Sequence, residues 1–265
     1  MKNLHFSTWP EYSSEPALIE PDELASWVLL NDDDLLVIDK PGWVVCHPSK
    51  AGPWSSLVGA CREHFGIETL HLVSRLDRET SGVVLLAKHK GSARRHQMAI
   101  QERQVEKRYL TILHGELQEE QIVKQHLAKD IESEVASKVA VRRSNSSKSA
   151  ETIFKPLATG NGFTFAEVIP VTGRKHQIRA HALWMGHPVV GDKLYGQADD
   201  VFLEFIEHGW TERMSDLMPM RRQALQCQRL SFHDGPVFEA PVTWDMAQFC
   251  EECIGVSAAS AVQSI

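Results

Sequence analysis

Residues 71–91 read HLVSRLDRETSGVVLLAKHKG, and the order of residue types in this stretch decides how the middle of the chain folds. GVVLLAK (82–88) is apolar, β-branched and short, which reads as a buried strand, and HLVSRLD (71–77) reads as a second strand before it. A polar turn joins the two. At that turn a single carboxylate, Asp77, lies between Arg75 and Arg78. One use for it is structural, as an ion pair closing the turn. The other is chemical, as a carboxylate kept ionised for covalent or electrostatic work.

Upstream, LLVIDKPGWVVCHPS (35–49) reads as strand, Lys-Pro-Gly turn, strand, and SSLVGACREHFG as a short helix. A short helix is expected around Glu23–Leu30. Downstream, KGSARRHQMAIQERQ reads as a basic helix with Ser92 as its cap, and VEKRYLTILHGEL as a strand. Short β-rich segments follow to residue 171. RKHQIRAHALWMG is the second clear helix, LEFIEHGW a further helix, and QALQCQRLSFH with VFEAPV a late strand pair. Strands outnumber helices and many neighbours suit hairpins. The class is α+β, with a mixed, largely antiparallel sheet and flanking helices. Residues 1–34 form an acidic arm, 35–254 one catalytic-size domain, and 255–265 a small, polar tail expected to be disordered.

The net charge of −7 is unevenly spread. Residues 1–34 hold eight acidic residues against Lys2 alone, whereas 75–108 carry nine basic and four acidic, and 138–179 eight basic and two acidic. A basic middle between acidic ends suits a polyanion-binding cleft. Arg94, Arg95 and Lys107 lie in the first basic segment. Lys138, Arg142, Arg143 and Lys148 lie in the second, in a flexible-looking loop. Arg174 and Lys175 stand at a strand-to-helix junction, where free backbone N–H groups suit phosphate. No apolar run is long enough to span a membrane, and the N-terminus lacks the layout of a signal peptide. The five cysteines have no framework spacing, so a reduced, cytoplasmic setting is expected.

Other chemistries find no anchor. The thirteen histidines show no HExxH spacing and Cys250–Cys253 is a lone CxxC, so no metal site is expected. Phosphate-loop glycine motifs are missing, as is GxSxG. Asp77 and Glu79 make a poor glycosidase couple, since a general acid needs a raised pKa and Arg78 lowers both.

Four stretches in order, Leu35–Ser49, SRLDRETSGVVLLAK (Ser74–Lys88), VEKRYLTILHG (Val105–Gly115) and VTGRKHQIRAHALWMGHPVVGDKLYG (Val171–Gly196), resemble the RluA-type family of RNA pseudouridine synthases. Ser74 stands where the family motif usually begins with histidine. The resemblance implies a pseudouridine-synthase-like fold with a central catalytic cleft, no leading S4 domain, no metal or organic cofactor, and structured rRNA or tRNA as partner. It implies Asp77 as the catalytic aspartate, Tyr109 as the residue stacking on the uracil, Arg179 as the basic partner of Asp77, and Arg75 as the side chain entering the RNA stack. A monomer is the default. The alternatives are a catalytically silent RNA-binding protein of the same fold and a hydrolase of glycosidic bonds.

Overall fold

The computed structural model describes residues 18–47 and 51–263. They form two compact units: an N-terminal unit (residues 18–107 with Gln226–Pro241) and a central unit (Arg108–Leu225 with residues 242–263). Residues 1–17 of the expected acidic arm lie outside the described residues, and residues 18–34 carry the first helix and strand of the N-terminal unit.

In chain order the elements begin α1 (Pro21–Ser26), β1 (Val28–Asn31), β2 (Leu35–Lys40), α2 (Leu57–Phe65), β3 (His71–Leu72) and β4 (Ser81–Ala87). Next come α3 (Lys90–Gln101), β5 (Val105–His114), β6 (Gln121–Lys129), β7 (Val139–Val141), β8 (Lys148–Gly160) and β9 (Phe163–Pro170). The chain ends with α4 (Gln177–Trp184), α5 (Asp199–His208), α6 (Glu212–Leu217), β10 (Leu225–Phe232), β11 (Val237–Glu239), α7 (Trp244–Phe249) and α8 (Ala258–Gln263).

In the N-terminal unit β4 is the central strand, and all seven of its residues are buried. It pairs antiparallel with β2, from Leu35↔Ala87 to Lys40↔Gly82. Its other edge takes β3 antiparallel at one end and β10 parallel at the other. Both faces are covered, which is why the strands read as continuous apolar runs. Leu36, Ile38, Val84 and Leu86 pack with Leu57, Ala60 and Cys61 of α2. Leu35, Val37, Val83 and Leu85 pack on the opposite side with Ala93 of α3, Leu230 and Phe238. Gly82, at φ +103°, passes so close to β10 that a Cβ would lie 2.1 Å from the carbonyl oxygen of Cys227. This is the physical reason for glycine there.

In the central unit β5, β9, β8, β6 and β7 pair antiparallel in that order. Phe154, Phe165 and Val168 form its core with Ile178 and Ala182 of α4 and Met246 and Phe249 of α7.

Several expectations are corrected. The helix expected to run to Leu30 stops at Ser26, because Val28 and Leu30 pair with β2. Only His71 and Leu72 of HLVSRLD form a strand, and residues 41–47 form a loop instead of one. The cap of α3 is His89, whose Nδ1 accepts the Ser92 N–H at 3.1 Å, while Ser92 is buried inside the helix. The tail expected to be disordered carries α8, with Ala258 buried in the central core; the last two residues lie outside the described set. No helix among the described residues is long and apolar enough to cross a membrane.

Candidate active site

Asp77 lies in the loop between β3 and β4, half-buried, in the N-terminal unit. The loop is shaped from residues 40–47. Lys40, at the end of an apolar strand, is fully buried and donates from Nζ to the carbonyls of Pro41 (2.8 Å), Val44 (2.9 Å) and Arg78 (3.1 Å). The Cys46 thiol donates to the Leu76 carbonyl at 3.5 Å. The Thr80 N–H closes a turn on the Asp77 carbonyl at 3.2 Å. Carbonyls on both sides of Asp77 are therefore bound by the side chains of Lys40, at the end of β2, and Cys46, in the loop after it, rather than by strand backbone, so HLVSRLD leaves the sheet. Arg75 is exposed and donates from Nη1 to His47 Nε2 at 3.0 Å.

Arg179 and Tyr109 belong to the central unit. Arg179, on α4, is buried and forms a two-pronged ion pair with Asp192: Nε to Oδ2 at 2.6 Å and Nη2 to Oδ1 at 2.8 Å. Asp192 Oδ1 also accepts the N–H groups of Leu194 and Tyr195. The guanidinium lies 4.9 Å from the centre of the Tyr195 ring. This planar clamp fixes its orientation. Gln177 closes the loop before α4: its Oε1 accepts from Thr172 Oγ1 (2.7 Å) and Arg174 N–H (3.0 Å), and its Nε2 donates to the Glu151 carbonyl and Thr152 Oγ1. Tyr109, on β5 opposite Val168, is partly buried and packs on the central core. Beside it Arg108 pairs with the buried Glu167 at 3.0 Å.

Four relatives set these motifs in context. The model of the family described as RNA pseudouridylate synthase matches residues 34–184. That span holds Asp77, Tyr109 and Arg179 together. The chain belongs to this RNA pseudouridylate synthase family. Within it the chain is of the RluA type: an α+β isomerase that converts uridine in RNA to pseudouridine. An uncharacterized RNA pseudouridine synthase of Bacillus subtilis, YjbO, is 32% identical over 248 residues, which cover 90% of this chain and 79% of the relative. Ribosomal large subunit pseudouridine synthase C of Vibrio vulnificus is 33% identical over 188 residues, 71% of this chain and 58% of the relative. Among solved structures, human RNA Pseudouridylate Synthase Domain Containing 1 aligns over 97% of both chains with a TM-score of 0.68 at 23% identity. Human RNA Pseudouridylate Synthase Domain Containing 4 aligns over 87% of this chain and 94% of its own with a TM-score of 0.66, also at 23%. These two are likenesses of fold.

The remaining basic residues of this pseudouridine synthase divide by surroundings. Arg174 and Lys175 are exposed in the loop before α4, not in its first turn, and Arg174 Nε donates to the Ser149 carbonyl at 3.2 Å. Arg94 is exposed, whereas Arg95 is tied to Asp34 at 2.8 Å. Lys107 is half-buried; burial pulls its ammonium below the ordinary lysine range, and Cys227 acts in the opposite direction. Lys138 is tied to Asp199 at 2.7 Å, which, with Ser133, holds that carboxyl below its usual range. No group of three or more His, Cys, Asp or Glu among the described residues is arranged to hold a metal.

Lys40, Asp192 and Gln177 are the site-shaping residues missed in the sequence. Lys40 carries a faint signal, a cation at the end of a strand that opens Leu-Leu-Val-Ile. Asp192 has one too, between the bend at Gly191 (φ +75°) and a lysine.

Proposed function

We propose that the chain isomerises one or more uridines in structured rRNA or tRNA, with residues 35–254 as the catalytic domain and Asp77 as the catalytic carboxylate. What carries this reading is the pinned loop of Asp77: a carboxylate whose flanking backbone is held by a buried lysine can be aimed at a sugar without reorganising. The reaction breaks the N1–C1′ bond, turns the uracil, and forms C5–C1′; the C5 proton leaves and N1 gains one. Attack on C1′ and removal of a 2′ proton both need Asp77 ionised.

A uridine in folded RNA must leave its stack, at a cost of a few kcal/mol. Stacking on Tyr109 offsets about 1–3 kcal/mol of that. Arg75, exposed and in contact with His47, fills the vacated space. Arg179, fixed by Asp192, is assigned the role of the cation that keeps the catalytic carboxylate charged. Arg174 and Lys175 take phosphates. No metal or organic cofactor enters, the protein works as a monomer, and it acts in the cytoplasm.

The test is to map pseudouridines in rRNA and tRNA from cells with and without the gene, and to chromatograph the products of the purified protein with the same RNA. Loss of particular pseudouridines, regained with the purified protein, supports the reading. RNA binding without pseudouridine favours the silent alternative, and release of free uracil favours a hydrolase.

A further inference from the structure

Helix α3 carries cations that do nothing for the fold. Ser92, Ala93 and His96 face the core, while Lys90, Arg94, Gln97, Met98 and Gln101 face out. With His71 they line a shallow groove of about 340 Å³. The acidic tip of the β1–β2 hairpin does not neutralise it. Asp34 is occupied by His89 at 2.7 Å and Arg95 at 2.8 Å, which together hold its carboxyl below the usual range. Lys88 reaches the Asp32 carbonyl. Lys90 and Arg94 make no ion pair with any described residue. A cation in the first turn, such as Lys90, opposes the helix dipole, so the helix itself gains nothing from it.

The groove lies within reach of the catalytic loop. Arg75 is four residues along the chain from His71 and Asp77 is six, so an extended chain spans at most about 14 Å and 22 Å respectively. Lys90 and Arg94, one helical turn apart, put their side chains about 6 Å apart, suited to two phosphates along one strand. Met98, 44% exposed, offers a polarizable apolar contact for a ribose or base face.

We propose that this α3 groove is a second docking site for the RNA backbone, taking phosphates that flank the target uridine. The inference rests on RNA being the substrate, and it separates two adjacent arginines: Arg94 binds RNA, while Arg95 serves Asp34. At about 3.4 Å per stacked nucleotide, that upper limit of about 22 Å places the groove within about six nucleotides of the target.

The test compares two RNA fragments carrying one uridine that the wild-type protein modifies. One is a long stem-loop. The other is cut to about one nucleotide on either side, which removes the flanking phosphates that the groove is proposed to take. Lys90→Ala/Arg94→Ala keeps good helix formers at both positions, and circular dichroism checks the fold. The double variant is expected to bind and modify the long RNA about tenfold less well, with a salt slope smaller by about 1.4–1.8 for two lost phosphate contacts. Its activity on the short RNA stays at wild-type level, and Arg95→Ala stays near wild type on both. Unchanged activity on the long RNA, or an equal fall on both, overturns the groove assignment. A wild-type protein that forms pseudouridine in neither RNA overturns the reading beneath it instead.

Discussion

Replacing Lys40 by methionine removes a buried ammonium while keeping most of its aliphatic packing. Nζ lies within 2.8–3.1 Å of three backbone carbonyls, those of Pro41, Val44 and Arg78. Leaving a buried acceptor without its donor costs about 1–3 kcal/mol each, and the three share one donor group, so the losses do not simply add. The expected destabilisation is about 3–5 kcal/mol, a large part of a typical stability of about 5–15 kcal/mol. The Arg78 carbonyl is one residue from Asp77, so the same change loosens the catalytic loop. Urea unfolding followed by tryptophan fluorescence gives the stability, and single-turnover pseudouridine formation, at a urea concentration where the variant is folded, gives the chemistry. A midpoint within about 0.5 kcal/mol of wild type, together with an unchanged rate, refutes the pinning argument.

Three further outcomes follow from the geometry. Asp192→Ala leaves the Arg179 guanidinium buried without its carboxylate and costs about 3–5 kcal/mol; thermal unfolding checks this, and an unchanged melting temperature contradicts it. Gly82→Ala forces a side chain into left-handed backbone and against the Cys227 carbonyl, costing about 3 kcal/mol or more; soluble, normally stable protein would contradict that contact. His181 is fully buried, with Nδ1 2.9 Å from Thr152 Oγ1, and burial pushes its pKa down to about 4. Unfolded histidine titrates near 6.5, so the unfolded chain takes the proton first. This contribution, about 3 kcal/mol at most, is present above pH 6.5 and lost as pH falls towards 4. His181→Gln should flatten stability between pH 6.5 and 4, and an unchanged slope contradicts the assignment.

The motifs of this chain were legible where they rest on local chemistry. The apolar run of β4 and the breaker at Pro41–Gly42 both reflect backbone needs within a few residues. What escaped reading depends on partners far along the chain. HLVSRLD looks like a strand until Cys46, 30 residues before Leu76, takes the Leu76 carbonyl and Lys40, 38 residues before Arg78, takes the carbonyl just past its end. Arg94 and Arg95 are indistinguishable as letters, yet one meets Asp34, 61 residues away, and the other meets solvent. The buried Arg222–Asp245 pair, two-pronged at 2.6 and 2.8 Å, likewise has no local signature. The C-terminal tail, rich in small residues, looks disordered until Ala258 packs into the central core.

The central claim is that Asp77, ionised, performs the isomerisation. Asp77→Asn keeps the size of the side chain and the backbone bond from the Thr80 N–H to the residue 77 carbonyl, but removes the charge. Single-turnover assay of wild type and variant on RNA modified by the wild type, with urea midpoints matched within about 1 kcal/mol, tests it directly. The account predicts RNA binding near the wild-type level and pseudouridine formation reduced by a factor of at least about 10⁴. Pseudouridine formed by Asp77→Asn at the wild-type rate contradicts it.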